Sequence, residues 1–323
     1  MVKNIIVSVI AVAAIVACPI LYYAVGPQLT QLQTDIAIVL LIITASAAAY
    51  CFIVGEITLN NSQMDKLWSI LPIAYVWVMA AMGGMTPRLI IMAILATLWG
   101  IRLTINFGRK GAYSIKFWTG EEDYRWKVLR KTKYFKSRLV WAAFDLFFIS
   151  VYQNLLVLII TFPMLASVGS EKPLNWIDFV AMGLTFGALL LETVADEQQR
   201  IFQDKKWGMI NEGKKLEELP EPYSKGFNTT GLWNYSRHPN YLGEQLFWIC
   251  FYIFSIGAGV GVFNWSFMGA AFLVLLFVGS STMGEAISGG KYPEYAEYKK
   301  KVSRFIPLPW RPYEKKEKEQ DAA

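Results

Sequence analysis

The chain holds one histidine and three cysteines in 323 residues. A single imidazole and no paired cysteines leave no ligand set for a zinc site or a redox dithiol, so no metal is expected. Cys18, Cys51 and Cys250 each lie inside an apolar run, where a thiol packs as a small hydrophobe. Charge is also scarce: 17% of residues are Asp, Glu, Lys or Arg, against about 25% in a soluble domain. There is no P-loop, no internal repeat and no separate soluble domain. GAGVG at 257–261 lacks the strand–turn–helix setting of a dinucleotide fold and reads as a helix end.

What fills the chain instead is apolar, 54% hydrophobic and 15% aromatic. A membrane span needs roughly 20 apolar residues, and eight stretches qualify: 5–25, 36–54, 68–83, 87–106, 139–163, 174–194, 241–260 and 264–285. The third is short. The first resembles a lipoprotein leader at Ile15–Cys18, but only Lys3 precedes it and the run continues to Val25, so an uncleaved helix is expected. The fold class is therefore all-α: a polytopic transmembrane bundle of about eight helices, residues 1–312 as one membrane domain, with 313–323 a disordered charged tail.

Orientation follows from the basic residues. With the N-terminus inside, 28 of the 31 Lys and Arg fall in inside segments, as the positive-inside rule requires. Both termini and the long loops near 107–138 and 195–240 should face the cytoplasm, in a bacterial inner membrane. The net charge of +6 is accounted for by this orientation and by contact with anionic membrane lipids, so nucleic acid is not an expected partner. No obligate protein partner is evident.

Ionisable groups inside a membrane are costly and mark function. Glu192, Asp196 and Arg200 recur at i, i+4 and i+8 and share a face if the sixth helix continues into the cytoplasm. Asn240, Glu244 and Trp248 repeat that spacing after SRHPNYLGE, residues 236–244, where Pro239 suits a first helical turn. The amides of that turn, beside Arg237 and His238, make an anion seat, with Asn240 and Glu244 leading inward to hydrogen-bond a planar amide. The competing reading is a capped helix flanked by a basic pair. Trp99, Arg102 and Asn106 line an inner helix end, where Arg102 meets a phosphate, meets a carboxylate such as Glu192, or merely snorkels. Glu285 is expected to end the eighth helix. Tyr292, Tyr295, Tyr298 and Arg304 follow, the tyrosines lining a short helix or anchoring at the interface. Asp145, Gln153 and Asn154 are polar groups buried in the fifth span.

SRHPNYLGE resembles the C-terminal motif of the steroid 5-alpha-reductase-like membrane enzymes, especially their bacterial branch. Asn61–Trp68 (NSQMDKLW), Trp99–Leu103, Glu122–Arg125 (EDYR), Glu192–Asp196, the Tyr292–Tyr298 repeat and Arg304-Phe-Ile-Pro match that branch in order and spacing. The resemblance implies an enzyme that binds NADPH in a polar cavity open to the cytosol. It would reduce an activated C=C bond of a hydrophobic lipid entering from the bilayer. It implies that Glu192, Asp196, Arg200, Tyr235, Asn240, Glu244 and Arg304 line the cofactor site; the reading of the residues themselves adds Arg102, Arg237, His238 and Tyr298 as cofactor-binding candidates. Glu56, Asp65 and Tyr241 are the candidates for catalytic proton handling, Glu56 standing in for the family's second-helix carboxylate. Arg237-His238-Pro239 also resembles the delta-14 sterol reductases and the isoprenylcysteine carboxyl methyltransferases. The alternative is therefore an S-adenosylmethionine-dependent lipid or thiol methyltransferase.

Overall fold

The structure, a computed structural model, describes residues 28–308 and 311–313. The expected span at 5–25 and the tail beyond Tyr313 lie outside the described residues. Among the described residues the chain is all-helical, with one isolated parallel bridge between Ser236 and Ser303 and no strand. The helices are α1 (Gln31–Thr58), α2 (Gln63–Leu67), α3 (Ile70–Met82), α4 (Pro87–Gly108), α5 (Tyr124–Arg130), α6 (Arg138–Ser167), α7 (Trp176–Asn211), α8 (Pro239–Gly257), α9 (Met268–Lys291) and α10 (Tyr295–Lys301). Within α6, Asp145–Tyr152 is wound as a π-helix.

Five helices are long and apolar enough to cross a membrane: α1, α4, α6, α7 and the segment Trp265–Lys291 that contains α9. This fits an integral membrane protein. Two expected spans fall outside the five. α3 has 13 residues, and α8 carries Asn240, Glu244 and Gln245 in its first half, which dilutes its apolar character.

Local chemistry sets the helix ends. Thr30 and Gln33 exchange side-chain and backbone hydrogen bonds in a capping box that starts α1. Pro87 and Pro239 open α4 and α8, where a missing N–H is harmless. α8 ends at the GAGVG stretch, where Gly259 takes a φ of 88° and Val260 N–H bonds back to Ser255 O at 3.1 Å.

The chain divides into two compact units, one comprising residues up to Phe186 with Trp248–Val274, the other Gly187–Phe247 with the residues from Leu275. In the first unit, small residues let helices touch. A Cβ on Gly100 of α4 would lie 2.5 Å from Ser69 O, and one on Gly269 would lie 2.2 Å from Ile159 O. Trp99 and Trp248 meet edge to face at 5.0 Å in the core.

Arg88, in the first turn of α4, is buried against Asp178 of α7 through two parallel hydrogen bonds of 2.8 and 2.9 Å. Its other donors reach Lys172 O, Pro173 O and Gly257 O.

The motifs NSQMDKLW and EDYR, far apart in sequence, clasp each other in this unit. Asn61 N–H donates to Glu122, Asp123 N–H donates to Ser62 Oγ, and Trp126 Nε1 donates to Asp65 Oδ2, at 2.8–2.9 Å. Buried Lys66 donates to Phe117 O at 2.8 Å and Thr119 O at 2.6 Å. The loop before α5 is thereby folded onto the turn after α1.

In the second unit, Phe227, Tyr295, Tyr298 and Val302 form a buried cluster. Trp233 Nε1 donates to Ala195 O of α7 at 3.0 Å, and Lys206 Nζ to Gly226 O at 2.8 Å. These bonds hold the 226–238 loop against α7.

Candidate functional site

The polar residues singled out from the sequence concentrate in the second unit, where α7, α8, α9 and α10 each supply part of one constellation. α8 and α7 approach at Gly243. A Cβ there would fall 2.6 Å from Glu192 Cβ and 2.8 Å from Glu192 Cα and N, so only glycine permits the contact. Glu192 and Glu244 are both buried. One turn toward the start of α8, Asn240 Nδ2 donates to Asp196 Oδ1 at 3.0 Å. Asn240 Oδ1 is buried without a hydrogen bond. The i, i+4 spacings read on each helix thus pair Glu192 with the Gly243 contact and Asp196 with Asn240, which is how two polar helical faces meet.

At the start of α8 the backbone of SRHPNYLGE is tied to the segment after α10. Arg237 N–H donates to Ser303 O at 2.9 Å and His238 N–H to Arg304 O at 3.0 Å. This pairing gathers three cations and an imidazole around Glu285, which is 2% exposed. Arg237 Nε lies 2.8 Å from Glu285, Lys299 Nζ 3.0 Å, His238 Nε2 3.2 Å and Arg304 Nε 3.6 Å. Arg237 also donates to Lys299 O and Val302 O, so most of its donors are committed inside the protein. Lys299 and Arg304 keep part of their side chains exposed, 48% and 29%, and are the cations that a ligand can reach. Arg304 also donates to Thr282 Oγ1 at 3.1 Å.

His238 is held below the usual imidazole range. Burial is the main cause, reinforced by Arg237 and Arg304 and opposed by Glu285. Its ring stacks on Tyr241 with centroids 5.2 Å apart and planes 11° apart, and Tyr241 packs on Phe277 at 4.5 Å.

Other expected site residues have different surroundings. Arg200 is taken up on its own helix by Glu197 and, at 2.6 Å, by Asp204. Tyr298 is buried, its hydroxyl donating to Trp233 O and Ser236 O. It fixes the loop that carries the site rather than presenting a phenol to it. Tyr235 offers its carbonyl to Ser303 Oγ at 3.4 Å. Arg102, Glu56 and Asp65 belong to the first unit. There burial, with the charge of Asp123, pushes Asp65 above the usual carboxylate range. Asp123 is itself pushed up by burial but held below that range by the charge and hydrogen bonds of Arg125.

The residue whose role the sequence hid is Glu285. It lies within α9, which runs on to Lys291, and is not the helix terminus the apolar pattern indicated. The signal was present: Arg237, Lys299 and Arg304 require a buried counter-charge, and Glu285 is a carboxylate inside an apolar span.

The sequence pattern described as a protein of unknown function, DUF1295, matches residues 51–302. The chain belongs to this family. The matched stretch includes every site residue named above except Arg304. The DUF1295 family is related to the steroid 5-alpha-reductase-like proteins. The chain is also similar to the uncharacterised protein C594.04c of Schizosaccharomyces pombe, 36% identical over 278 residues, covering 79% of this chain and 77% of that protein. No solved structure matches the chain.

Proposed function

We propose that this DUF1295 member is a membrane-embedded, NADPH-dependent reductase of an activated C=C bond in a lipid, a steroid-like or isoprenoid enone or conjugated alkene. Its cofactor site faces the cytoplasm of a bacterial inner membrane. The observation that carries this reading is the charge imbalance at Glu285: three permanent cations, Arg237, Lys299 and Arg304, converge on one buried carboxylate. The imbalance sits at the N-terminus of α8, where backbone dipoles favour further negative charge. A ligand bearing several phosphates complements that surplus. S-adenosylmethionine brings a sulfonium cation and one carboxylate, so the same surplus weighs against methyl transfer.

The residues fit a nicotinamide nucleotide in a second respect. Asn240 Oδ1 is an unused buried acceptor, suited to a carboxamide N–H, and Glu244 lies one turn further along α8. When bound, NADPH supplies the hydride. Lys299 and Arg304 would hold its phosphates, and Asn240 and Glu244 would orient its carboxamide. The close Gly243–Glu192 contact keeps water from between α7 and α8. A second carbon then needs a proton from an acid of the chain. Tyr241 offers a hydroxyl within this unit.

The test is thermal stabilisation of the detergent-purified chain by NADPH, NADH and S-adenosylmethionine. A ligand at 100 times its Kd adds about 2.7 kcal/mol. NADPH is expected to raise the midpoint, and Lys299→Ala or Arg304→Ala, each weakening binding about tenfold, to cut that rise by about half. A response to S-adenosylmethionine alone, or to none of the three, refutes the reading.

A further inference from the structure

The π-helical stretch of α6 does something the cofactor site does not use. In an α-helix, at about 100° per residue, Asp145 and Asn154 would point to opposite sides, nine residues being two and a half turns. A π-helix closes i→i+5 rings and turns less per residue, so a π-wound stretch between them swings Asn154 back toward the side of Asp145. Asp145–Tyr152 is π-wound, and both side chains accordingly face α1. Asn154 Nδ2 contacts Cys51 Sγ at 3.6 Å. Asp145 Oδ2 lies 3.4 Å from the point where Gly55, one turn on from Cys51, would carry a Cβ. Asn61 Nδ2 lies 3.3 Å from that same point.

Each of these three residues is at most 3% exposed. Asn61 and Asp145 face each other as donor and acceptor, short of good hydrogen-bond geometry at Asn61 Nδ2 and Asp145 Oδ2, and Asn154 Oδ1 has no hydrogen bond. Their remaining groups are committed. Trp141 Nε1 donates to Asn61 Oδ1 at 3.2 Å, Ser150 Oγ donates to Asp145 Oδ1 at 3.5 Å, and Asn154 Nδ2 donates to Ser150 O at 2.7 Å. A row made of the loosely paired Asn61 and Asp145 and the unmatched Asn154 Oδ1 thus runs along the α1–α6 contact. Buried polar atoms are rarely left unmatched without a reason, and inside an apolar span the cost is greater.

Beside the row runs an aromatic ladder. Phe144 stacks on Phe148 at 5.0 Å and 17°, and Phe148 stacks on Tyr152 at 5.4 Å and 13°. The outer faces of the same two helices expose Ile53, Ile57, Phe147 and Leu155. Polar atoms lie within, and flat apolar surface lies beside and outside.

We propose that this row seats the oxygen-bearing end of a lipid, a hydroxyl or carbonyl group, with its chain or rings along the aromatic ladder. A hydroxyl oxygen accepts from Asn61 Nδ2 and donates to Asp145 or Asn154, while a carbonyl oxygen accepts from Asn61 Nδ2. The proposal rests on the first unit alone and stands whether or not the reductase reading holds.

The test uses the detergent-purified full chain and three photoreactive probes that share a diazirine-bearing C16 chain. One ends in a primary alcohol, one in a methyl ketone, and one is the hydrocarbon without oxygen. Crosslinks are mapped by mass spectrometry. The alcohol, the ketone or both should label residues within 51–61 and 141–154 at least tenfold more than the hydrocarbon, and the stronger of the two shows which oxygen the row prefers. Gly55→Ala keeps every polar group and favours the helix, yet sets a methyl between Asn61 and Asp145. It should lower that labelling about tenfold, as should Asn154→Leu. Equal labelling by the hydrocarbon, labelling only elsewhere, or oxygen-dependent labelling untouched by both variants would overturn the proposal and leave the row to water.

Discussion

Arg88 and Arg237 are both buried arginines, each paired with a carboxylate at 2.8 Å, and they differ in what surrounds the pair. Around Arg88 the charges balance. Asp178 accepts two bonds from Arg88 and one from Asn175 N–H, three carbonyls and Ser170 Oγ take the remaining donors, and the side chains are 5% and 1% exposed. Around Arg237 they do not balance, because Lys299 and Arg304 share the same Glu285 and remain in partial contact with solvent. A closed, neutral cluster has nothing to offer a ligand. An open one with surplus charge is stable only with anions nearby. The comparison separates a staple from a site on charge count and exposure, without reference to sequence motifs.

The comparison breaks most visibly at its closed end. Arg88→Ala leaves Asp178 buried without its partner and should cost about 3–5 kcal/mol, read as loss of the folded detergent-solubilised fraction, with no ligand able to restore it. Glu285→Gln should behave differently. The native state should lose about 1–3 kcal/mol, while NADPH or pyrophosphate binds several-fold tighter because the surplus charge grows, measured by calorimetric titration. If Glu285→Gln weakens anion binding instead, the carboxylate is positioning Arg237 for the ligand rather than diluting the site. Gly243→Ala pushes α8 off α7 at Glu192 and should cost about 1–3 kcal/mol. Its thermal midpoint and NADPH affinity should fall together. Arg304→Ala should leave stability within about 0.5 kcal/mol, because its side chain is partly solvated, yet cost about tenfold in NADPH affinity.

The smallest effect is on pH dependence. His238 is held below its ordinary pKa in the fold. The unfolded chain therefore takes up a proton as pH falls below about 6.5 while the folded chain does not. Stability should fall as pH is lowered through that value. His238→Gln should flatten the slope of the thermal midpoint between pH 7 and pH 5.5.

Span positions were legible from apolar runs because burial in lipid selects composition directly. The fourth expected span, 87–106, differs from α4 by two residues at one end. The sixth, 174–194, is where α7 starts, but the helix runs on to Asn211. Hydropathy marks where a helix leaves the apolar layer and not where it stops being helical. The pairing of Asn240 with Asp196 was foreshadowed by matching i, i+4 spacings. Two things could not be read. Asp145 and Asn154 sit at a separation that an α-helical period places on opposite faces, so the π-winding that unites them was hidden. The clasp between Asn61–Asp65 and Glu122–Trp126 links turns and loops that carry no period at all. Glu285 was visible but unassigned, since its partners lie on both sides of α9 in sequence, Arg237 and His238 before it and Lys299 and Arg304 after it, and the Ser236–Ser303 bridge brings the two segments together.

That bridge has a consequence for synthesis. Arg237 leaves the ribosome 65 residues before Val302, whose carbonyl it bonds, and 48 residues before Glu285. At about 5–20 residues per second, several seconds pass in which the turn before a nascent α8 carries an arginine with no counter-charge. The cation cluster around Glu285 is completed only after α9 has been made, and a chain halted there would carry Glu285 without Lys299 or Arg304.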